Sequence, residues 1–321
     1  MRRVSCALAA MAAAATISLP AWGHAFPERP ITLIVPFSPG ASADGLARLT
    51  ANELSRRLGQ PVVVENRPGA GGATGLMALA KAAPDGYTLG MGATGAIAVN
   101  PHVPGSAPLD PKRELAPVAK LADIPLVLVA DAKTGLKTVN DVVAAYQKQP
   151  DKLSYGSTGN NTAQHLSAEL FNKMAGTKIV HVPYKGSAPA VTDTLSGTLQ
   201  LSMVDLTSAA PHLKAGTLVA IGTTSPQRVS AAPDIPTIAE GGLDGYAATA
   251  WMGIFAPHGI DPTLAKRISA EIGDILAQPE IQEKVLGLGA EAAYLNPDEF
   301  SAFIDAASQQ WGELVKAANP S

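Results

Sequence analysis

The strongest constraint on what this chain can become is an alternation. Short apolar runs of strand length exchange with longer amphipathic stretches of helical period, in two successive series. In the first, Ile31 to Val35 reads as a buried strand, and Leu46, Leu49, Leu54 and Leu58 mark one face of the helix after it. Val62 to Val64 is a second strand, Leu76 to Ala80 lies in a second helix, and Tyr87 to Met91 is a third strand. The second series opens at Leu126 to Ala130. It continues through Leu153 to Tyr155, Ile179 to Val182, Leu199 to Val204 and Val219 to Gly222, with helical patterns among them. Such alternation predicts an α/β protein whose mostly parallel sheets carry helices on both faces. Beyond Trp251 to Ala256 the pattern turns helical, with start signals at Asp261-Pro262 and Asn296-Pro297-Asp298-Glu299. Pro108 to Pro117 is the most loop-like stretch. At about 100–200 residues per domain, the length suggests two domains.

The first 25 residues stand outside this pattern. Arg2 and Arg3 precede an alanine-rich apolar run from Ala7 to Leu19, Pro20 ends it, and Gly23-His24-Ala25 supplies small residues where a signal peptidase reads. The run is shorter than the roughly 20 residues that a membrane helix needs. It therefore reads as a secretory leader, cut near Ala25, and the product as periplasmic. Cys6 is the sole cysteine and falls inside the leader. The mature chain is then expected to have no disulfide, thiolate metal site or cysteine nucleophile. The formal charge is −3 with no basic block, which argues against nucleic acid as a partner.

Two loops carry the chemistry. Pro36-Phe37-Ser38-Pro39-Gly40-Ala41-Ser42-Ala43-Asp44 lies between a strand and a helix. Small residues there let backbone N–H groups approach a ligand, and the helix dipole favours an anion. Phe37, Ser38, Ala41, Ser42, Ala43 and Asp44 are the candidates; the plainer reading makes Ser42 a helix cap with Asp44 complementing the helix start. Tyr155-Gly156-Ser157-Thr158-Gly159-Asn160-Asn161-Thr162 repeats the design with more donors. Its candidates are Ser157, Thr158, Asn160 and Asn161, with His165 beside them, although Asn161 with Gln164 also resembles a capping pair. Two such loops could face each other across a cleft. Thr94, past the third strand, Tyr184 at a strand end and Asp205, where cleft residues of parallel sheets are found, complete the set.

Other motifs weigh less. Gly69 to Gly75 lacks dinucleotide spacing and reads as a tight loop whose backbone can face a ligand. The histidines have no metal-like spacing, and no G-x-S-x-G is present. No metal and no cofactor is expected.

These segments resemble the Bug-type family, the extracytoplasmic solute receptors of tripartite tricarboxylate transporters. The matching pieces are Pro36 to Asp44 with Ala47-Arg48, Val64-Glu65-Asn66-Arg67-Pro68-Gly69-Ala70-Gly71-Gly72, and Pro84-Asp85-Gly86-Tyr87-Thr88. Tyr155-Gly156-Ser157, His181 to Gly186, Pro233 to Thr237 and Trp251-Met252-Gly253 follow in order. The resemblance implies a type II periplasmic-binding-protein fold. Residues 26–126 would form the first part of lobe 1, 127–246 lobe 2, and 247–321 the return to lobe 1. It also implies a carboxylate gripped by loops matching Phe37 to Ala43 and Ser157 to Asn161. Ala41 stands where the family usually has a second glycine. The expected protein is a monomeric, non-enzymatic receptor that passes a small carboxylate to the membrane permease subunits of such a transporter. An exported enzyme acting on small carboxylates and a sensory receptor module are the alternatives.

Overall fold

The computed structural model describes residues 26–40, 42–106 and 109–318. The leader-like segment 1–25, Ala41 and the side chain of Ser42 lie outside the described residues.

The apolar runs become strands of two separate sheets. The first series gives β1 (Ile31–Val35), α1 (Ser42–Leu58), β2 (Val62–Asn66), α2 (Ala73–Ala80) and β3 (Thr88–Ala93). A short helix, α3 (Pro111–Glu114), leads into a long strand, β4 (Leu115–Ile124). The second series gives β5 (Leu126–Asp131), α4 (Val139–Lys148), β6 (Ser154–Ser157), α5 (Ala163–Ala175) and β7 (Val180–Pro183). It closes with α6 (Ser187–Leu195), β8 (Leu201–Asp205), α7 (Leu206–Lys214) and β9 (Leu218–Thr223). The chain then supplies β10 (Ala250–Pro257), α8 (Pro262–Leu276), α9 (Pro279–Gly287), β11 (Glu291–Leu295) and α10 (Pro297–Ala318).

The first sheet has the order β11-β4-β10-β3-β1-β2 and the second β7-β6-β8-β5-β9. The chain therefore crosses between sheets twice, once at Pro125 and once between Thr223 and Ala250. The mostly parallel expectation needs correcting. β1 pairs in parallel with β2 and β3, and β6 with β7 and β8, but β10 runs antiparallel to β3 and β4, β11 to β4, and β5 to β8 and β9. β5 and β10 are the first strands after the two crossings, and each enters its sheet against the direction that the βαβ units impose, whereas β4 runs the same way as β1 to β3. The loop-like reading of Pro108 to Pro117 is also corrected, because α3 and the start of β4 occupy much of it.

Local chemistry explains the helix starts. Thr138 and Asp141 form a reciprocal capping box on α4, and Asp261 caps α8 ahead of Pro262. Each stripe of apolar side chains then faces a sheet. Phe300 of α10 packs on Trp251 and Phe255 of β10, with ring centroids 5.4 and 5.3 Å apart. That packing fixes what β10 can carry beneath the ring. A Cβ on Gly253 would press into the Phe300 ring and stand 2.8 Å from the Ala119 carbonyl oxygen. Gly253→Ala should therefore destabilise the protein by about 2 kcal/mol or more, read as a lower urea midpoint by circular dichroism. An unchanged midpoint would show that α10 yields freely.

Candidate functional site

A cavity of about 470 Å³ opens between the two sheets. It lies past the carboxyl ends of β1, β3, β6 and β8, where open α/β sheets bind their ligands. From the first sheet come Pro36, Phe37, Ser38 and Ala43 around the start of α1, the Pro68–Gly72 backbone, and Ala93, Thr94 and Gly95. From the second come Thr158, Gly159, Asn160, Thr162, Ala163 and Gln164, then Tyr184 to Ser187, and Asp205. The strands at the crossings close the floor with Ile124, Ala250, Trp251 and Met252.

The structure thus brings together eight sequence candidates: Phe37, Ser38, Ala43, Thr94, Thr158, Asn160, Tyr184 and Asp205. Four others face elsewhere. Asp44 is buried. Its carboxylate accepts from the Gly40 N–H (3.0 Å), Arg48 Nε (2.9 Å) and Asn66 Nδ2 (2.9 Å), while the same Asn66 amide donates to the Phe37 carbonyl (3.0 Å). Asp44 braces the first loop and does not line the cavity. Ser157 is fully buried, with its hydroxyl 2.6 Å from His181 Nε2 and accepting from the Gly159 N–H (3.2 Å). His165 accepts from the Asn161 N–H through Nδ1 (3.2 Å). Asn161 takes a left-handed backbone, φ 60, and the cap of α5 is Thr162, whose hydroxyl accepts from the His165 N–H (3.3 Å). The expected Asn161–Gln164 cap is therefore displaced by one residue.

Sequence reasoning missed Gln164, Ser187, Ile124 and Gly95 as wall residues. Gly95 opens a buried π-helical turn, Gly95–Val99, and a Cβ there would stand 3.0 Å from the Asn161 carbonyl oxygen. The two sheets' loops thus meet at this edge of the cavity, at a position where only glycine fits without adjustment. No local signal marks it, since the contact spans 66 residues of chain.

The electrostatics are spare. Among the described lining residues, Lys185 is the one cation and is exposed, and Asp205 is the one carboxylate, accepting from Gln164 Nε2 (2.5 Å). Thr94 is buried. Its hydroxyl accepts from the Trp251 N–H (2.8 Å) and stitches β3 to β10. What remains for a ligand is a wall of backbone, hydroxyl and amide donors near the starts of α1 and α5, a neutral way to receive an anion. Among the described residues, no group of three or more His, Cys, Asp or Glu is placed to hold a metal ion.

Burial acts to raise the Asp44 carboxyl, but hydrogen bonds from Arg48, Gly40 and Asn66 outweigh it and hold it below its ordinary value. A depressed carboxyl stabilises the fold fully above about pH 4 and loses that contribution as pH falls further. Asp44→Asn should therefore cost about 2 kcal/mol at neutral pH, with the deficit shrinking in acid. Urea titrations of both proteins at neutral and acid pH check this; a deficit independent of pH would deny the brace its charge.

Comparison with known proteins agrees with this geometry. Residues 46–319 match the family described as TctC, the tripartite tricarboxylate transporter family receptor. The chain is 35% identical over 317 residues to Protein BugT of Bordetella pertussis, covering 98% of this chain and 97% of BugT. Among solved structures it is similar to R. palustris Rpa4515 with adipate, at TM-score 0.87 and 33% identity, covering 91% of this chain and 98% of that one. It is also similar to MatC from Rhodopseudomonas palustris with bound malate, at TM-score 0.82 and 29% identity, covering 90% and 100%. The chain belongs to the tripartite tricarboxylate transporter receptor family, the Bug-type solute-binding receptors.

Proposed function

We propose that this protein is a periplasmic solute-binding receptor that captures a small carboxylate between its two lobes and delivers it to the permease of a tripartite tricarboxylate transporter. The observation that carries the reading is the cavity wall itself: donors from two facing strand–loop–helix units, in a chain of this receptor family. Relatives bound to adipate and malate support the ligand class. Phe37, Ser38, Ala43, Thr94, Thr158, Asn160, Tyr184 and Asp205 are the proposed contacts, with Ala41 and Ser42 completing the first loop. Residues 1–25 serve as the export signal, and the mature protein acts as a monomer whose lobes divide near 126 and 246.

The protein performs no chemistry on its cargo in this reading. The pair that most resembles a nucleophile and base, Ser157 with His181, is closed off from the cavity, since neither residue lines it. Closure of two lobes on the ligand is the working step, driven by the ligand's preference for the closed state.

A thermal-shift screen of ligand-stripped protein tests the reading with adipate, malate and other small mono- and dicarboxylates, each beside its uncharged amide. A saturating carboxylate should raise Tm by about 5 °C. A flat response across the panel, or equal shifts with the amides, would remove the carboxylate from the assignment.

A further inference from the structure

One cluster of titratable side chains is left over by that reading. His165 in the first turn of α5 and His181 in β7 stack with ring centroids 4.0 Å apart, and Tyr155 from β6 stacks on His181 at 5.0 Å. Neither histidine lines the cavity; each holds the loop that does. His165 Nδ1 receives the Asn161 N–H, and His181 Nε2 holds the Ser157 hydroxyl that receives the Gly159 N–H. Asn161 sits at a positive φ that few side-chain-bearing residues adopt, and its carbonyl is the group that meets Gly95 of the first lobe. The same six-residue loop therefore walls the cavity, touches the opposite lobe and hangs from two imidazoles.

We propose that His165 and His181 are positioning residues: as neutral, stacked rings they hold the 157–162 loop in its cavity-forming shape, and protonation of the pair releases it. The effect on ligand affinity rests on the binding reading above; the effect on the loop does not.

The chemistry is direct. A protonated His165 carries hydrogen on Nδ1 and has no lone pair left for Asn161. Two imidazolium rings at the stacking distance also repel each other. Tyr155 faces the pair from β6, with its hydroxyl donating to Glu169 (2.6 Å) one turn beyond His165. Lys178 and Lys185, flanking β7, are exposed. Burial lowers His165 below the ordinary histidine range despite the opposing Glu169 charge. Burial, then the neighbouring His165, lowers His181 to about 4. With native values below the ordinary one, the contribution is complete above about pH 6.5 and is lost as pH falls toward about 4.

Amide hydrogen exchange on the ligand-free protein is the test. Corrected for intrinsic rates, the 157–162 amides should lose about tenfold protection or more between about pH 7 and about pH 4.5, while those of β4 keep theirs. His165→Asn should open the loop at both pH values and flatten the dependence, with circular dichroism confirming the fold. Should that variant not fold, the wild-type pH series decides alone. Wild-type loop protection that is equal at both pH values overturns the proposal, as does an H165N loop as protected and as pH-sensitive as the wild type. Adipate titrated into the same samples separates the two readings. Binding that weakens in acid more steeply for wild type than for H165N supports both. The exchange pattern without any adipate binding upholds the positioning role and counts against adipate alone.

Discussion

Pro125 is the constraint on which the rest of the molecule depends. It is the single residue between β4 of the first sheet and β5 of the second. Proline has no N–H to give a ladder, so the sheet stops there, while its carbonyl still accepts from the Leu206 N–H (3.2 Å) at the start of α7. On one side Ile124 pairs with Ala250, and on the other Leu126 pairs with Asp205. All but Leu126 line the cavity. The return crossing is sewn to the same place, because the Thr224 N–H donates to the Leu126 carbonyl and the Ala248 N–H to that of Thr224 (2.9 Å each). Two crossings bonded side by side hold the cavity walls in register.

From that junction the character of the site follows. The walls are strand ends and helix starts, so the groups they offer are main-chain donors held by the scaffold, needing little reorganisation to receive a charge. Both acidic side chains near the site are hydrogen-bonded within the protein. Asp44 is committed to Arg48, Asn66 and the Gly40 N–H, and Asp205 receives the Gln164 amide. A wall of this kind takes an anion without burying a compensating cation, whose desolvation would offset much of the attraction. Among the polar groups of the wall, Tyr184 has its hydroxyl tied to Asp193 (2.6 Å).

Much of this architecture was legible in the chain. The strand-loop-helix units at Ile31 to Leu58 and Ser154 to Ala175 announce themselves by period, glycine and capping residues, all of which act within a few positions. β4 did not. Its sequence includes Pro117, Lys120 and Asp123, which interrupt the apolar pattern. Lys120 is nevertheless buried, because its ammonium pairs with Asp123 (2.7 Å) and lies over the Phe303 ring (4.3 Å). The ring that shelters it comes from α10, far along the chain, so no local reading could have found the strand's tolerance for a charge.

The sequence by itself determined the class of fold, the two loops around which the site is built and the family resemblance they carry. These rest on local periodicity and on residue order. Only the tertiary structure decided which residue of each loop meets the cavity. Thr158 does and Ser157 does not, because successive positions at a strand end point to opposite faces and His181, on the neighbouring strand, claims Ser157. Asp44 was drawn inward by Asn66, and Asn161 was set against Gly95, for the same reason. A side chain's direction is fixed by the partners around it, and for Asp44 and Ser157 one of these, Asn66 and His181, lies more than 20 residues away in sequence.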